Sequence, residues 1–425
     1  MNKTHQTRAY FLAVIACAVF VTGCIFLSSP PTPEEQAEKI GQFINVGGYF
    51  APHSYAIDSI QETWRHNGQA IEISMLAPTA PGVYPLVIYL PGLGEPADGG
   101  RVWRENWAKA GYAVFSVQPF EISGALKELA PMPGRPDDDE YGPLGGAKFR
   151  SSQAVRNSEM RYLGHEYFSQ ESLKKRISHL LWAYAQLKLR ANAGQALFAA
   201  ADLSRSIVAG YDIGAQTAAA MIGEKFETDL PKAQDFRPLA AILFSPSVDM
   251  ALGNVTTRYK NISIPLLVVT GSEDEDPYAI TTPYVRTAIW EYAPPGNKYL
   301  LLLKKGGHQL LAGAELSSRQ EPGAHGEEGA GRPGPGGGMP RFGSRFQGGG
   351  GMGGGSAGGP PGGGMGRPPH GGQQDAEQDF KHIAAVLSIS TAFLDSVCKS
   401  DKFAQFWIAK KAKTWLNKSV ALKIK

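Results

Sequence analysis

Gly210-Tyr211-Asp212-Ile213-Gly214 sits between two runs that read very differently. Ser206-Ile207-Val208-Ala209 before it reads as the end of a buried strand, and Ala215-Gln216-Thr217-Ala218-Ala219-Ala220-Met221 after it as a helix that starts at once. A strand that becomes a helix over so few residues must pass backbone close on both sides of a strained central residue. Flanking glycines allow that approach. The central side chain is then presented at the C-terminal end of a strand, and here it is a carboxylate, Asp212. Asp is also a favoured helix N-cap, so the turn has two readings, a presented carboxylate and a capping one.

The segments on either side supply strands and helices in alternation. Ala56 to Trp64 and Gln69 to Met75 read as antiparallel strands joined around His66-Asn67-Gly68. Tyr84 to Leu90 is a continuous apolar run, as expected of a strand buried on both faces. Trp103 to Ala110 predicts a crossover helix, Tyr112 to Val117 the next strand, and Leu173 to Leu189 a helix. Leu239 to Phe244, Pro265 to Thr270 and Lys298 to Leu303 supply three more short strands. The alternation predicts an α/β fold whose mostly parallel central sheet carries helices on both faces, over 46–312. Ile383, Ala384, Leu387, Ala392, Phe393, Leu394 and Val397 keep helical spacing, and Phe403 to Leu416 reads as another helix. Residues 377–425 are thus the closing helices of the same domain.

The remaining segments are not sheet. Lys3 and Arg8, the apolar run Tyr10 to Val21 and Thr22-Gly23-Cys24 have the layout of a signal peptide over residues 1–23. Val21-Thr22-Gly23-Cys24 resembles a bacterial lipobox, which implies lipidation of Cys24 and a cell-envelope address, the outer membrane before the inner because Ile25 is not acidic. With Cys17 removed and Cys24 lipidated, Cys398 remains alone, and no intramolecular disulfide is possible. Residues 24–45, rich in Pro and Glu at their start, read as a tether. Glu121 to Phe168 is a polar, unusually long connection, placed to fold over the sheet's C-terminal edge. Of the 51 glycines, 24 fall between Gly323 and Gly372, so 313–376 reads as a disordered insertion. A net charge of +3, with 19% charged residues, gives no signal for nucleic acid.

Two further strand ends carry candidate chemistry. Pro265 to Thr270 runs into Gly271-Ser272-Glu273-Asp274, and Leu301 to Leu303 leads through Lys304-Lys305-Gly306-Gly307 to His308. Asp212, Asp274 and His308 therefore all fall at strand C-terminal ends, where open α/β sheets build their sites. Glu273 and Asp276 compete with Asp274 for its place. The acidic run has oxygen ligands for a hard cation, but it reads as a solvated loop, as does Asp137-Asp138-Asp139-Glu140, and no metal or cofactor is expected. His165 lies in the long connection, within reach of a substrate. Ser245 also ends a strand, but Pro246 follows it and no Gly-flanked turn surrounds it.

With these residues in view, the chain resembles the α/β-hydrolase superfamily, specifically the dienelactone-hydrolase and platelet-activating-factor-acetylhydrolase-like esterases. The resemblance covers Ile57 to Leu311 and Phe380 to Leu416. It rests on Tyr89-Leu90-Pro91-Gly92-Leu93-Gly94, the Asp212 turn with Gln216-Thr217-Ala218, Thr270-Gly271-Ser272-Glu273-Asp274 and Gly307-His308. It implies hydrolysis of a carboxylic ester of a small molecule, with position 212 as nucleophile, Asp274 as acid and His308 as base. It also implies an oxyanion hole made by the backbone N–H groups of Leu93 and Ile213. Two residues depart from the pattern: Pro91 where many relatives have His, and Asp212 where they have Ser. A carboxylate that attacks an ester carbonyl is itself the better leaving group, so serine-type turnover does not simply transfer. An Asp nucleophile suits attack at saturated carbon, as in epoxide hydrolases and haloalkane dehalogenases of this fold. Those families usually place Trp after the Asp and insert a helical cap; here Ile213 follows, and 245–263 is too short for one. Joint activation of water by Asp212 and His308, or a fold kept for binding alone, are the other readings.

Overall fold

Nine strands form one sheet in the computed structural model, which describes residues 32–127, 129, 143–231, 235–314, 372–416 and 418–425. The chain enters through helix α1 (Pro33–Asn45) and a hairpin of β1 (Ile57–His66) and β2 (Gln69–Pro78). Asn67 and Gly68 both take positive φ, 52° and 79°, which is what a two-residue hairpin turn demands. Then follow β3 (Tyr84–Leu90), α2 (Arg101–Lys109), β4 (Ala113–Pro119), the single turn α3 (Phe120–Ser123), and the long helices α4 (Pro143–Tyr167) and α5 (Gln170–Asn192). Next come β5 (Ala201–Tyr211), α6 (Ile213–Met221), β6 (Ala241–Phe244), β7 (Leu266–Glu273) and β8 (Lys298–Gly307). Helix α7 (Gly372–Cys398) and strand β9 (Val420–Ile424) close the chain.

The strand order is β1-β2-β4-β3-β5-β6-β7-β8-β9. Neighbours from β4 through β8 run parallel, while β1, β2 and β9 add antiparallel edges. The fold is thus α/β with a mostly parallel sheet covered on both faces, as the alternation predicts. On one face α2 and α7 bury Trp103, Trp107, Phe393 and Leu394 against Val87, Phe244 and Leu301. On the other α5 and α6 bury Leu180, Leu187, Ala215 and Ala218 against Ile88, Phe115 and Val208. Trp103 stacks on Phe244 with ring centroids 5.6 Å apart, tying a helix to the sheet centre. Helix α7 from Glu377 is long and apolar enough to cross a membrane, but most of it is buried inside the fold.

Two segments differ from expectation. Residues 33–45 are not tether but helix: Thr32 and Glu35 form a reciprocal capping box, Pro33 occupies the first turn, and Ile40 joins the core beneath α7. The C-terminal segment does not end in helix, because β9 pairs antiparallel with β8. The signal peptide, Cys24, Asp137 to Glu140 and nearly all of the Gly-rich insertion lie outside the described residues.

The described parts of the long connection after β4 lie over the sheet edge. Ile122, Met160 and Phe168 form a small cluster with Leu93, Ile213 and Tyr278, roofing the end of β5. Helix α4 comes so close to the loop after β7 that a Cβ on Gly164 would lie 2.9 Å from the Tyr278 Cβ. Its C-terminal end is pinned more firmly. Arg176 of α5 donates to the Tyr167 carbonyl, to Gln216 and to Thr217, and Gln216 donates to the Phe168 carbonyl at 3.1 Å.

Candidate active site

Five residues at or just beyond the C-terminal ends of adjacent strands meet at one place. Leu93 follows β3, Asp212 β5, Ser245 β6, Asp274 β7 and His308 β8. The Asp212 backbone has φ 53° and ψ −115°, a strained conformation for a residue with a side chain. Both neighbouring glycines are forced by contact. A Cβ on Gly210 would meet the Gly214 carbonyl at 2.4 Å, and one on Gly214 the Leu90 carbonyl at 2.0 Å. The Asp212 side chain makes no hydrogen bond to the helix it precedes, so the capping reading fails. Its Oδ2 instead accepts from the Leu93 N–H at 3.3 Å. Its Oδ1 is buried with no hydrogen-bond partner among the described residues, and His308 Nε2 stands 4.0 Å from it. Ile213 starts α6, so its N–H belongs to the first turn, where a helix leaves amides unpaired.

The opposite edge of the imidazole is fully occupied. Asp274 Oδ1 lies 2.8 Å from His308 Nδ1. An ionised carboxylate only accepts, so Nδ1 carries the proton and Nε2 faces Asp212. Asp274 Oδ2 accepts from Thr270 Oγ1 at 2.7 Å, and Ser245 Oγ, 2.8 Å from Nδ1, donates to Oδ1 at 2.7 Å. Arg286, wholly buried, lies 3.3 Å from Asp274 Oδ1 and donates to the carbonyls of Asp274 (3.0 Å) and Ser245 (2.9 Å). Tyr211 packs its ring on His308 with centroids 5.1 Å apart and donates its hydroxyl to the His308 carbonyl at 3.2 Å.

The two carboxylates are driven in opposite directions. Burial pushes the Asp212 carboxyl up, Asp276 adds to that, and His308, Arg286 and the Leu93 N–H only partly oppose it. Burial acts the same way on Asp274, but the His308 hydrogen bond and the Arg286 charge override it and hold its carboxyl below the usual range.

The three sequence candidates, Asp212, Asp274 and His308, are therefore brought together, with the Leu93 N–H beside them. Glu273 is exposed, while Asp276 accepts three N–H groups, from Tyr278 (3.0 Å), Ile280 (2.6 Å) and Thr281 (2.8 Å), and so shapes its own loop. Neither replaces Asp274. His165 is exposed on α4 and is not among the side chains of the roof cluster. Ser245 belongs to the site after all, as a partner of Asp274 and His308, and its φ of 47° is what turns it there. Thr270 and Arg286 are further residues that sequence reasoning misses. Arg286 has no local signal, since its partners stand at 245, 274 and 308.

The roof packs on Leu93 and Ile213 beside Asp212, which is 1% exposed. A groove of about 730 Å³ lies on the outer side of the roof, lined by Phe120, Glu121, Tyr162 and Glu166, and neither Asp212 nor His308 borders it. Among the described residues no group of three or more potential metal-ligating side chains occurs. No protein-family model matches the chain, and no curated protein matches its sequence.

Proposed function

We propose that the chain is a hydrolase on the α/β-hydrolase fold, acting through Asp212 as nucleophile, His308 as base and Asp274 as the acid that orients His308. Support for the fold comes from the strand order and from the placement of nucleophile, acid and base after β5, β7 and β8. The observation that carries the chemistry is the split environment of the Asp212 carboxylate. Oδ2 already lies against the Leu93 N–H, and Oδ1 is unpartnered. That arrangement suits attack at a saturated carbon. Oδ1 forms the new C–O bond as the leaving group departs with its electron pair, giving an alkyl ester of Asp212. Oδ2 is then the ester carbonyl oxygen, seated where the Leu93 and Ile213 N–H groups meet the charge that develops next. Water, deprotonated by His308 Nε2, attacks the Asp212 carboxyl carbon. Collapse expels the alkoxide, which takes the proton from His308 Nε2 and leaves as the alcohol. The Asp212 carboxyl then gives up the second water proton, to solvent after a halide or to the ring-opened alkoxide after an epoxide, and is a carboxylate again.

Acyl-ester hydrolysis, which the sequence resemblance implies, has its own supporting observation. The 4.0 Å between Oδ1 and Nε2 suits one water touching both, activated without a covalent step. The two routes are separated by turnover on matched panels of acyl esters, epoxides and alkyl halides, with Asp212→Asn alongside. Single turnover in ¹⁸O-water places label in the Asp212 peptide by the covalent route and in product alone by the other. No turnover on any panel, with saturable ligand binding instead, would overturn the hydrolase reading in favour of a binding protein. The lipobox residues support a membrane-anchored protein, and Cys24→Ala is expected to release it from the membrane fraction.

A further inference from the structure

We propose that Glu95 is a positioning residue of this site: it clamps the turn after β3 so that the Leu93 N–H is aimed at Asp212. The inference rests on the hydrolase reading for its effect on rate, but its geometry stands apart from that reading. Glu95 Oε2 accepts from the Gly92 N–H at 2.8 Å, and the Glu95 N–H donates back to the Gly92 carbonyl at 3.2 Å. Gln118, buried at the end of β4, closes the clamp by donating to the carbonyls of Gly92 (2.8 Å) and Glu95 (2.9 Å). Gly92 is thus held on both its N–H and its C=O, one residue before the amide that meets Asp212. The turn has no alternative place to sit. A Cβ on Gly92 would lie 2.6 Å from the Tyr211 ring, and the Gly94 N–H is tied to the Ile122 carbonyl at 3.0 Å.

The titratable groups that face Glu95 are Asp212, Tyr89, Tyr211 and Tyr278. None of them is a cation, and Arg104 lies beyond, beside Tyr89 and bonded to Ser74. Burial pushes the Glu95 carboxyl up to about 8, with the Gly92 N–H opposing and the Asp212 charge adding to the rise. Two acids thus share one neighbourhood, and Glu95, pushed up to about 8, is largely neutral at pH 7. Above about pH 8 Glu95 becomes negatively charged beside Asp212 and works against charge development on Oδ2.

Gly92-Leu93 is the chain's single Gly-Leu dipeptide. Carbonyl-¹³C glycine with ¹⁵N leucine therefore gives one doubly labelled amide, that of Leu93, in the full chain. Its resonance is expected to shift through an alkaline step near pH 8, absent in Glu95→Gln, and through an acid step that Asp212→Asn removes. A Leu93 signal that is flat through pH 8 in the wild type, or an alkaline step that persists in Glu95→Gln, overturns the proposal. On a turned-over substrate, Glu95→Ala is expected to lower kcat about 10²-fold, as loss of one oxyanion donor does. KM stays within about threefold. Glu95→Gln, whose amide oxygen still accepts from Gly92, recovers much of kcat and lacks the alkaline limb of the pH profile. Loss in KM with kcat intact overturns the positioning role. If nothing is turned over, the hydrolase reading falls and the Leu93 titration still decides this one.

Discussion

On the Nδ1 side of His308, every side-chain oxygen of Asp274 has a partner, from His308, Ser245, Thr270 and Arg286. On the Nε2 side, Asp212 holds one oxygen against a single backbone N–H and leaves the other bare under an apolar roof. Both carboxylates follow parallel strands of one sheet and both are buried, so burial does not distinguish them. The number of compensating donors does: Asp274 is held below its ordinary range and Asp212 is raised. On the proposed hydrolase reading, one side of the imidazole is held still and the other reacts, which gives the unsatisfied buried Oδ1 its explanation.

The largest expected effect breaks the reacting side. Asp212→Ala and His308→Ala are each expected to lower kcat by at least about 10⁴-fold, and Asp274→Asn by about 10²–10⁴-fold. A folded Asp212→Ala protein with undiminished turnover would remove the comparison altogether.

Stability sharpens the same contrast, because the two Asp→Asn changes are expected to act with opposite sign. Asp212 has a folded carboxyl above its ordinary 3.8, so the native state binds the extra proton and stability falls as pH rises through that window. Asp212→Asn removes that loss and is expected to raise Tm at pH 7, with the gain disappearing as pH drops towards 3.8. Asp274 lies below 3.8; its contribution is full above that value and is lost as pH falls through the folded value. Asp274→Asn is therefore expected to lower stability at pH 7 by about 2–4 kcal/mol, because Arg286 is left buried without its anion. Thermal unfolding from pH 3 to 8 checks both. Shifts of the same sign at pH 7 would refute the difference drawn between the two carboxylates.

The strand ends are legible in the sequence because steric necessity leaves few residue choices there. Gly210 and Gly214 are imposed by contacts with Gly214 and Leu90 backbone, and the apolar runs of β3 and β5 to β8 mark where the strands stop. The supports are far less legible. Ser245 takes positive φ without a glycine beside it, and Arg286 reaches three separate strand ends from a short 3-10 turn, Val285–Thr287. Helix α1 is hidden by its Pro and Glu, although its capping box is local and visible once sought. Among the described side chains of α4, from 153 on, few besides Met160 are buried, so the period there is too weak to separate it from a polar loop.

That weak period is also why the smallest expected effect lies in the roof. The floor of the site is held by buried hydrogen bonds within a nine-stranded sheet, whereas Met160 of α4 packs in a small satellite cluster with Ile122, Phe168 and Tyr278. A buried Met→Ala change costs about 2–5 kcal/mol when the whole fold bears it. Met160 instead packs on a segment that can open by itself, and the cost then appears as local opening, not as global unfolding. Met160→Ala is therefore expected to accelerate amide hydrogen exchange over 154–165, while exchange in α6 and in β5 stays unchanged. Tyr167 and Phe168 are pinned by Arg176 and Gln216, so protection should return at the end of α4. Equal acceleration in α4 and α6 would mean that roof and floor open as one unit. The apolar cluster would then be part of the machinery that holds Asp212, and no longer a cover laid over it.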